Sequence, residues 1–249
     1  MIDTHIHMVP GVDDGAKDMN MSIQMIQMVM NEGVNKVVLT PHYNLPRYQN
    51  ENVEKQFNLL KDYIKTEKIN FEVYLGNEIY LSEETMVGIL EGQANSMAES
   101  SYLLVELPYY HYYPVHEAMI QNLQHNDFRV LLAHIERYQI FEKKPEKLRE
   151  LVENGVYAQL SSRHIIDHKT RKSALQWIEN GLIHIVASDG HDVDKRPPLM
   201  RKAYDVVAKA FGMNCAQILF EINPQYIIED SQLMIPELKK PKRFKLHFT

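Results

Sequence analysis

Glu179-Asn180-Gly181-Leu182-Ile183-His184-Ile185-Val186-Ala187-Ser188-Asp189-Gly190-His191 carries one complete structural unit of this chain. A glycine behind a polar helix end accepts the left-handed backbone that stops a helix and turns the chain back. The apolar run after it reads as a buried strand over 183–187, and the exit of that strand carries an aspartate and a histidine. The same joint recurs at Asn31-Glu32-Gly33-Val34 before Val37-Val38-Leu39, and at Glu153-Asn154-Gly155-Val156 before Ala158-Gln159-Leu160. Because the joint marks where a strand begins, the polar residues lie at carboxyl ends.

Five further strand exits follow the pattern: Ile2-Asp3-Thr4-His5-Ile6-His7, Val38-Leu39-Thr40-Pro41-His42, Leu75-Gly76-Asn77-Glu78, Leu103-Leu104-Val105-Glu106 and Leu131-Leu132-Ala133-His134. Strands near 2–6, 36–40, 71–75, 102–106, 129–133, 156–160 and 183–187 alternate with helix-like runs, which predicts an α/β fold. We expect a distorted TIM-like (β/α)7 barrel with a metal site at the carboxyl ends of the strands. An open doubly wound sheet is the alternative. Closure is favoured because imidazoles and carboxylates from strands one to five and seven must meet at one point.

Between the strands, Asp18 is positioned to cap a helix through about Glu32, with its methionines in the core. Pro197 and Pro198 are expected to open a helix through about Phe211 that Gly212 ends, and Asn214 to start another that Asn223-Pro224 breaks. Residues 1–235 are expected to form one domain and 236–249 a basic peripheral tail containing Lys239-Lys240-Pro241-Lys242-Arg243-Phe244-Lys245.

A hydrophobic content of 45% over 249 residues supplies one large core. A net charge of -6 leaves no general basic footprint, so nucleic acid is not an expected partner. A single cysteine, Cys215, excludes an intramolecular disulfide. With no hydrophobic leader and no run near the roughly 20 apolar residues that span a bilayer, the chain reads as cytosolic. Membrane association is expected only through a partner or the tail.

His5 and His7 lie two apart on a strand, so both face the same side and can chelate one ion. Glu78, Glu106, His134, Asp189 and His191 add borderline and hard ligands at equivalent ends. Of Asp13 and Asp14, either can ligate on chemistry alone. Asp3 is either a partner of an imidazole or the acceptor of a strand-end hydrogen bond.

These segments carry a resemblance. Met1 to His7, Val12-Asp13-Asp14-Gly15, Thr40-Pro41-His42, Glu78-Ile79-Tyr80, Ala133-His134-Ile135-Glu136-Arg137-Tyr138 and Ala187-Ser188-Asp189-Gly190-His191 together resemble the polymerase and histidinol phosphatase superfamily. Their order and spacing are similar to the manganese-dependent protein-tyrosine phosphatases of capsule and exopolysaccharide operons in Gram-positive bacteria. The resemblance implies three ions, Mn2+ with iron, cobalt, magnesium or zinc as alternatives. By it His5, His7, Glu78 and Asp189 hold one ion, and Glu78 bridges to a second held by Glu106 and His134. Asp14, His42 and His191 hold the third, with Asp13 orienting the loop. The implied substrate is the phosphotyrosyl tail of a bacterial tyrosine kinase. Two rivals are a small-molecule phosphatase acting on histidinol phosphate and a non-catalytic protein that binds the kinase tail.

Divalent ions lower the pKa of water, so the expected nucleophile is a hydroxide that attacks phosphorus in line. Arg137 and Arg196 are the candidate phosphate cations, because a guanidinium fork matches phosphate oxygens. Cys215 is not a phosphatase nucleophile: the arginine such a loop needs six residues on is replaced by Glu221. Ser161 and Ser162 lack a glycine-flanked elbow. His111, His116, His125, His164, His168, His184 and His247 fall outside the register and are expected to have structural or surface roles. Tyr109, Tyr110, Tyr112 and Tyr113 lie at the rim, as a wall for an aromatic ring or as packing.

Overall fold

The computed structural model describes residues 1–110 and 112–236. Its strands are β1 (Ile2–Ile6), β2 (Lys36–Leu39), β3 (His42–Tyr43), β4 (Glu72–Leu75), β5 (Glu78–Tyr80), β6 (Tyr102–Glu106), β7 (Arg129–Leu132), β8 (Tyr157–Ser161) and β9 (Ile185–Ala187). They are paired in parallel as β1-β2-β4 and as β3-β5-β6-β7-β8-β9. Asp189 N–H donates to the His5 carbonyl at 2.8 Å and His7 N–H to the Gly190 carbonyl at 2.9 Å. The exit of β9 thereby returns to β1, and the sheet curls into a barrel.

Two expected strands, 36–40 and 71–75, form as β2 and β4, and each is followed by a short second strand beyond the expected bounds. β2 and β3 are separated by Thr40-Pro41, and β4 and β5 by Gly76-Asn77. Pro41 has no N–H to give the ladder, yet its carbonyl accepts from Glu78 N–H at 3.1 Å and from Asn77 Nδ2 at 2.9 Å. At Gly76 a Cβ would sit 3.1 Å from the Met97 backbone. The break lets the sheet bend there while keeping its register.

The three glycine joints behave as their sequence suggests, with Gly33 at φ 84°, Gly155 at φ 84° and Gly181 at φ 68°. The helix Met19–Asn31 is capped by Asp18, whose Oδ1 accepts from Met21 N–H at 2.9 Å, and it buries Met25, Ile26 and Val29. The expected helix opened by Pro197 and Pro198 begins only at Arg201. Pro198 instead packs on the backbone at Gly190, where a Cβ would lie 2.6 Å from the Pro198 Cβ. The helix starts where a carboxylate is available: Glu32 Oε2 accepts from Met200 N–H at 3.0 Å and Arg201 N–H at 2.8 Å. Asn223-Pro224 does not break the last helix. Turns run from Met213–Gln217 through a π segment, Ile218–Ile222, into Asn223–Ile228, and a wider turn is one way a helix absorbs a proline's missing donor.

Side chains alternate between two apolar layers. Val38, Tyr102, Leu104, Leu131, Ala133, Ile185 and Ala187 form the inner layer, closed below by Met97, Ile227 and Leu233. Leu103, Val105, Val130, Leu132 and Val186 pack outward beneath the helices. The barrel interior is a filled floor, and the polar residues stand on it. No helix among the described residues is long and apolar enough to cross a membrane. Residues 237–249 of the expected tail lie outside the described residues, as do His111 and His247.

Candidate metal centre

Inward parity delivers most of the polar cluster. Residues 102, 104 and 106 share one face of β6, so Glu106 continues the inner layer, while Asp189 lies two residues past β9 with a left-handed backbone at φ 53°. Ile6 belongs to the outer layer, which leaves His5 and His7 inward. His134 follows Ala133 of the inner layer and falls on the opposite parity. Its left-handed backbone, φ 30° and ψ 60°, departs from the strand and re-aims the ring.

Ligand atoms of His5, His7, Glu78 and Asp189 lie within 4.8 Å of one another, as do those of His7, Asp14, His42 and His191, and those of His42, Glu78 and Glu106. Glu78 is the hub. Its Oε2 is 3.2 Å from His5 Nε2, 3.1 Å from His7 Nε2 and 3.1 Å from His42 Nδ1, and its Oε1 is 2.5 Å from His134 Nε2. His134 Nε2 also lies 3.5 Å from Glu106 Oε1. The geometry differs from the expected partition in sharing: His7 reaches the Asp14 group as well as its own, and His42 reaches the Glu106 group.

Asp13 and Asp14 separate cleanly. Asp13 accepts from Gly15 N–H at 2.9 Å and His42 N–H at 3.1 Å, and its Oδ2 is 2.8 Å from His7 Nδ1. It therefore fixes the loop and turns His7 Nε2 toward the cluster. Asp14 faces His42 Nε2 at 3.2 Å and His191 Nε2 at 3.6 Å. The loop closes so tightly that a Cβ at Gly15 would collide with His7. Asp3 takes the strand-end role, accepting from His5 N–H at 3.3 Å and Ser188 N–H at 2.9 Å.

The donor set suits cations. Burial pushes the Glu78 carboxyl upward, but His5, His42 and His134 outweigh it and hold it well below the ordinary range. Burial opposes protonation of His7, yet Asp13 and Glu78 push its imidazole up to about 10. His191, buried and beside His7, is pushed down to about 3 and stands as a neutral ring. Asp189 Oδ1 and His191 Nε2 are buried without a hydrogen-bond partner. An unsatisfied buried polar atom costs about 1–3 kcal/mol, and here two such atoms lie among converging carboxylates and imidazoles, where divalent ions would satisfy them.

Arg137 and Arg196 stand at the edge of this cluster. Both guanidinium groups reach Asp189 Oδ2, Arg196 at 2.8 Å and Arg137 closer still. A cavity of about 390 Å3 opens beside them, lined also by Arg163, His164 and Ser188. His164 stacks on Trp177 at 5.8 Å between ring centres. His184 Nδ1 accepts from Ala158 N–H at 3.1 Å. His125 is exposed at the end of the helix Pro114–His125.

Sequence reasoning missed Gln159, which is fully buried on β8, the strand without a charged exit. Its Oε1 is 3.2 Å from His5 Nδ1 and accepts from His134 N–H at 2.7 Å. Because an amide oxygen only accepts, His5 carries its proton on Nδ1 and offers Nε2 to the cluster. Gln159→Leu leaves the His5 Nδ1–H and the strained His134 backbone without an acceptor. We expect affinity for divalent metal ions to fall about 10- to 100-fold with the fold kept, as read by metal titration; unchanged affinity would remove Gln159 from the site.

The sequence matches the family model described as capsular polysaccharide synthesis, CpsB/CapC, over residues 1–229. It is 31% identical over 240 residues to tyrosine-protein phosphatase CpsB of Streptococcus pneumoniae, covering 92% of this chain and 99% of that one. Identity is also 31% over 251 residues to tyrosine-protein phosphatase YwqE of Bacillus subtilis, covering 99% and 98%. Among solved structures, a chain from the crystal structures of YwqE from Bacillus subtilis and CpsB from Streptococcus pneumoniae, described as unique metal-dependent tyrosine phosphatases, superposes with a TM-score of 0.88. It is 30% identical, with 96% of this chain and 100% of that chain covered.

Proposed function

This chain belongs to the CpsB/CapC family of capsular polysaccharide synthesis, and on that premise we propose that it is a metal-dependent tyrosine phosphatase using manganese. The proposed ligands are His5, His7, Asp14, His42, Glu78, Glu106, His134, Asp189 and His191, enough for three ions. The proposed substrate is the phosphotyrosyl tail of a bacterial tyrosine kinase that controls polysaccharide synthesis, which puts the enzyme in the cytoplasm beside that kinase. The observation that carries the reading is the pair of guanidinium groups, Arg137 and Arg196, set against one edge of the ligand cluster at an open cavity.

Bound divalent ions would supply a water acidic enough to attack near neutral pH and positive charge for the phosphoryl oxygens. The chain's own residues do the rest. Arg137 and Arg196 grip phosphoryl oxygens and hold the group for in-line attack. Gln159 and Asp13 keep His5 and His7 turned toward the cluster. A phenol has a pKa near 10, so its phenolate leaves with less protonation than an alkoxide needs, and no general acid is assigned.

Turnover of a phosphotyrosyl peptide should disappear on strong chelation and return with manganese, and should survive Cys215→Ser and thiol alkylation. Cys215 is buried, and burial pushes its thiol up to about 11, the wrong direction for a nucleophile. Loss of turnover in a folded, fully metallated Cys215→Ser protein would overturn the metal-dependent reading. Preference for histidinol phosphate over the peptide would overturn the substrate.

A further inference from the structure

Glu106 ends β6 and His134 follows β7, its neighbour in the sheet. Three residues past Glu106 stands Tyr109, and three residues past His134 stands Arg137. The two meet over the cluster: Arg137 Nη1 donates to the Tyr109 hydroxyl at 3.3 Å, and that hydroxyl donates in a short bond to Glu106 Oε1. A guanidinium only donates, so the hydroxyl accepts from Arg137, which leaves its own proton for Glu106 Oε1.

We propose that Tyr109 is a positioning residue that ties the phosphate-gripping arginine to the proposed metal ligand Glu106, an inference that rests on the phosphatase reading above. Arg137 is then held from two sides, by Asp189 at the exit of β9 through Nη2 and by Tyr109 beyond β6 through Nη1. The fork's plane is fixed before substrate arrives, so less orientational freedom is lost when phosphate binds. The proton of Tyr109 is committed to Glu106, which sets it apart from a donor to the leaving group.

The ring is fixed independently of its hydroxyl. It stacks on Tyr138 with centres 5.9 Å apart and planes at 27°, and lies 5.9 Å from the His134 ring. Tyr138 is in turn buried and accepts from Leu107 N–H at 3.0 Å. Tyr109→Phe therefore removes the hydrogen-bond bridge and keeps the packing.

The test is a double-mutant cycle on manganese-loaded protein with Tyr109→Phe, Arg137→Ala and both together. It is read by peptide turnover and, separately, by calorimetric affinity for inorganic phosphate. Tyr109→Phe should keep its manganese content, lose about 10- to 100-fold in kcat/KM, and bind phosphate about tenfold more weakly. In the Arg137→Ala background the same change should cost less than about threefold, because the residue it positions is gone. Equal costs in both backgrounds, or no cost in Tyr109→Phe, would overturn the proposal. Wild-type protein that binds manganese and phosphate without turnover would instead overturn the phosphatase reading, and the phosphate arm of the cycle would still decide Tyr109.

Discussion

Glu78→Gln is expected to yield a folded protein with sharply reduced manganese content and peptide turnover lowered by about 10³-fold or more. The substitution keeps the shape of the side chain and removes its charge. Both oxygens of Glu78 are engaged, Oε2 facing three imidazoles within 3.2 Å and Oε1 facing His134 at 2.5 Å. Divalent ions held in a buried site would repel one another strongly, and Glu78, the carboxylate at the centre of the candidate ligands, would supply the negative charge that offsets that repulsion. An amide supplies one weak acceptor and a donor turned toward cations. His134→Ala should also lower metal content and turnover, since its ring meets both Glu78 and Glu106. The control is His125→Gln, at an exposed helix end, which should change neither. Metal analysis and circular dichroism on the same samples separate loss of ions from loss of fold. Full manganese content in Glu78→Gln, or His125 proving as necessary as His134, would reject the assignment of the hub.

Much of this site was legible because strand parity is a strict rule. Once Val38 and Leu104 are inward, Glu106 follows two residues on, and His42 keeps the parity of Val38 across the Thr40-Pro41 break. The helix joints gave the strand starts because glycine is the residue that tolerates the backbone observed at Gly33, Gly155 and Gly181. His134 shows the limit. Its parity is wrong for the cluster, and only a left-handed turn at a non-glycine residue, costing of order 1–3 kcal/mol, brings it in.

Contacts set by tertiary structure were not legible. Glu32 caps the helix Arg201–Phe211 from 168 residues away, so the local proline signal placed its start too early. Gln159 carries no local signal of its role, since nothing in the sequence around it tells an amide that meets two histidines from one that merely fills space. For Tyr109 the sequence supplied an aromatic at the rim, and the structure supplied the hydroxyl's two partners.

Arg137→Ala should retain fold and manganese and lose about 10²-fold or more in kcat/KM, the scale of removing one well-placed contact to developing charge. Burial disfavours its charge, but the Asp189 carboxylate and the Tyr109 hydroxyl hold the guanidinium firmly protonated. It thus presents a permanent cation at the cavity wall. Arg137→Lys should recover only part of the loss. An ammonium keeps the attraction to phosphate but cannot span Asp189 and Tyr109 while offering paired donors to the substrate. Arg196 shares Asp189 Oδ2 at 2.8 Å and reaches the site from the loop that precedes the helix Arg201–Phe211. Its removal should therefore cost less than that of Arg137, which is anchored at both Nη1 and Nη2. Kinetics on one phosphotyrosyl peptide, with metal content measured alongside, decide the order. Near-wild-type efficiency in Arg137→Ala together with a large loss in Arg196→Ala would reverse it, making Arg196 the principal phosphate anchor and Arg137 chiefly a counter-charge for Asp189.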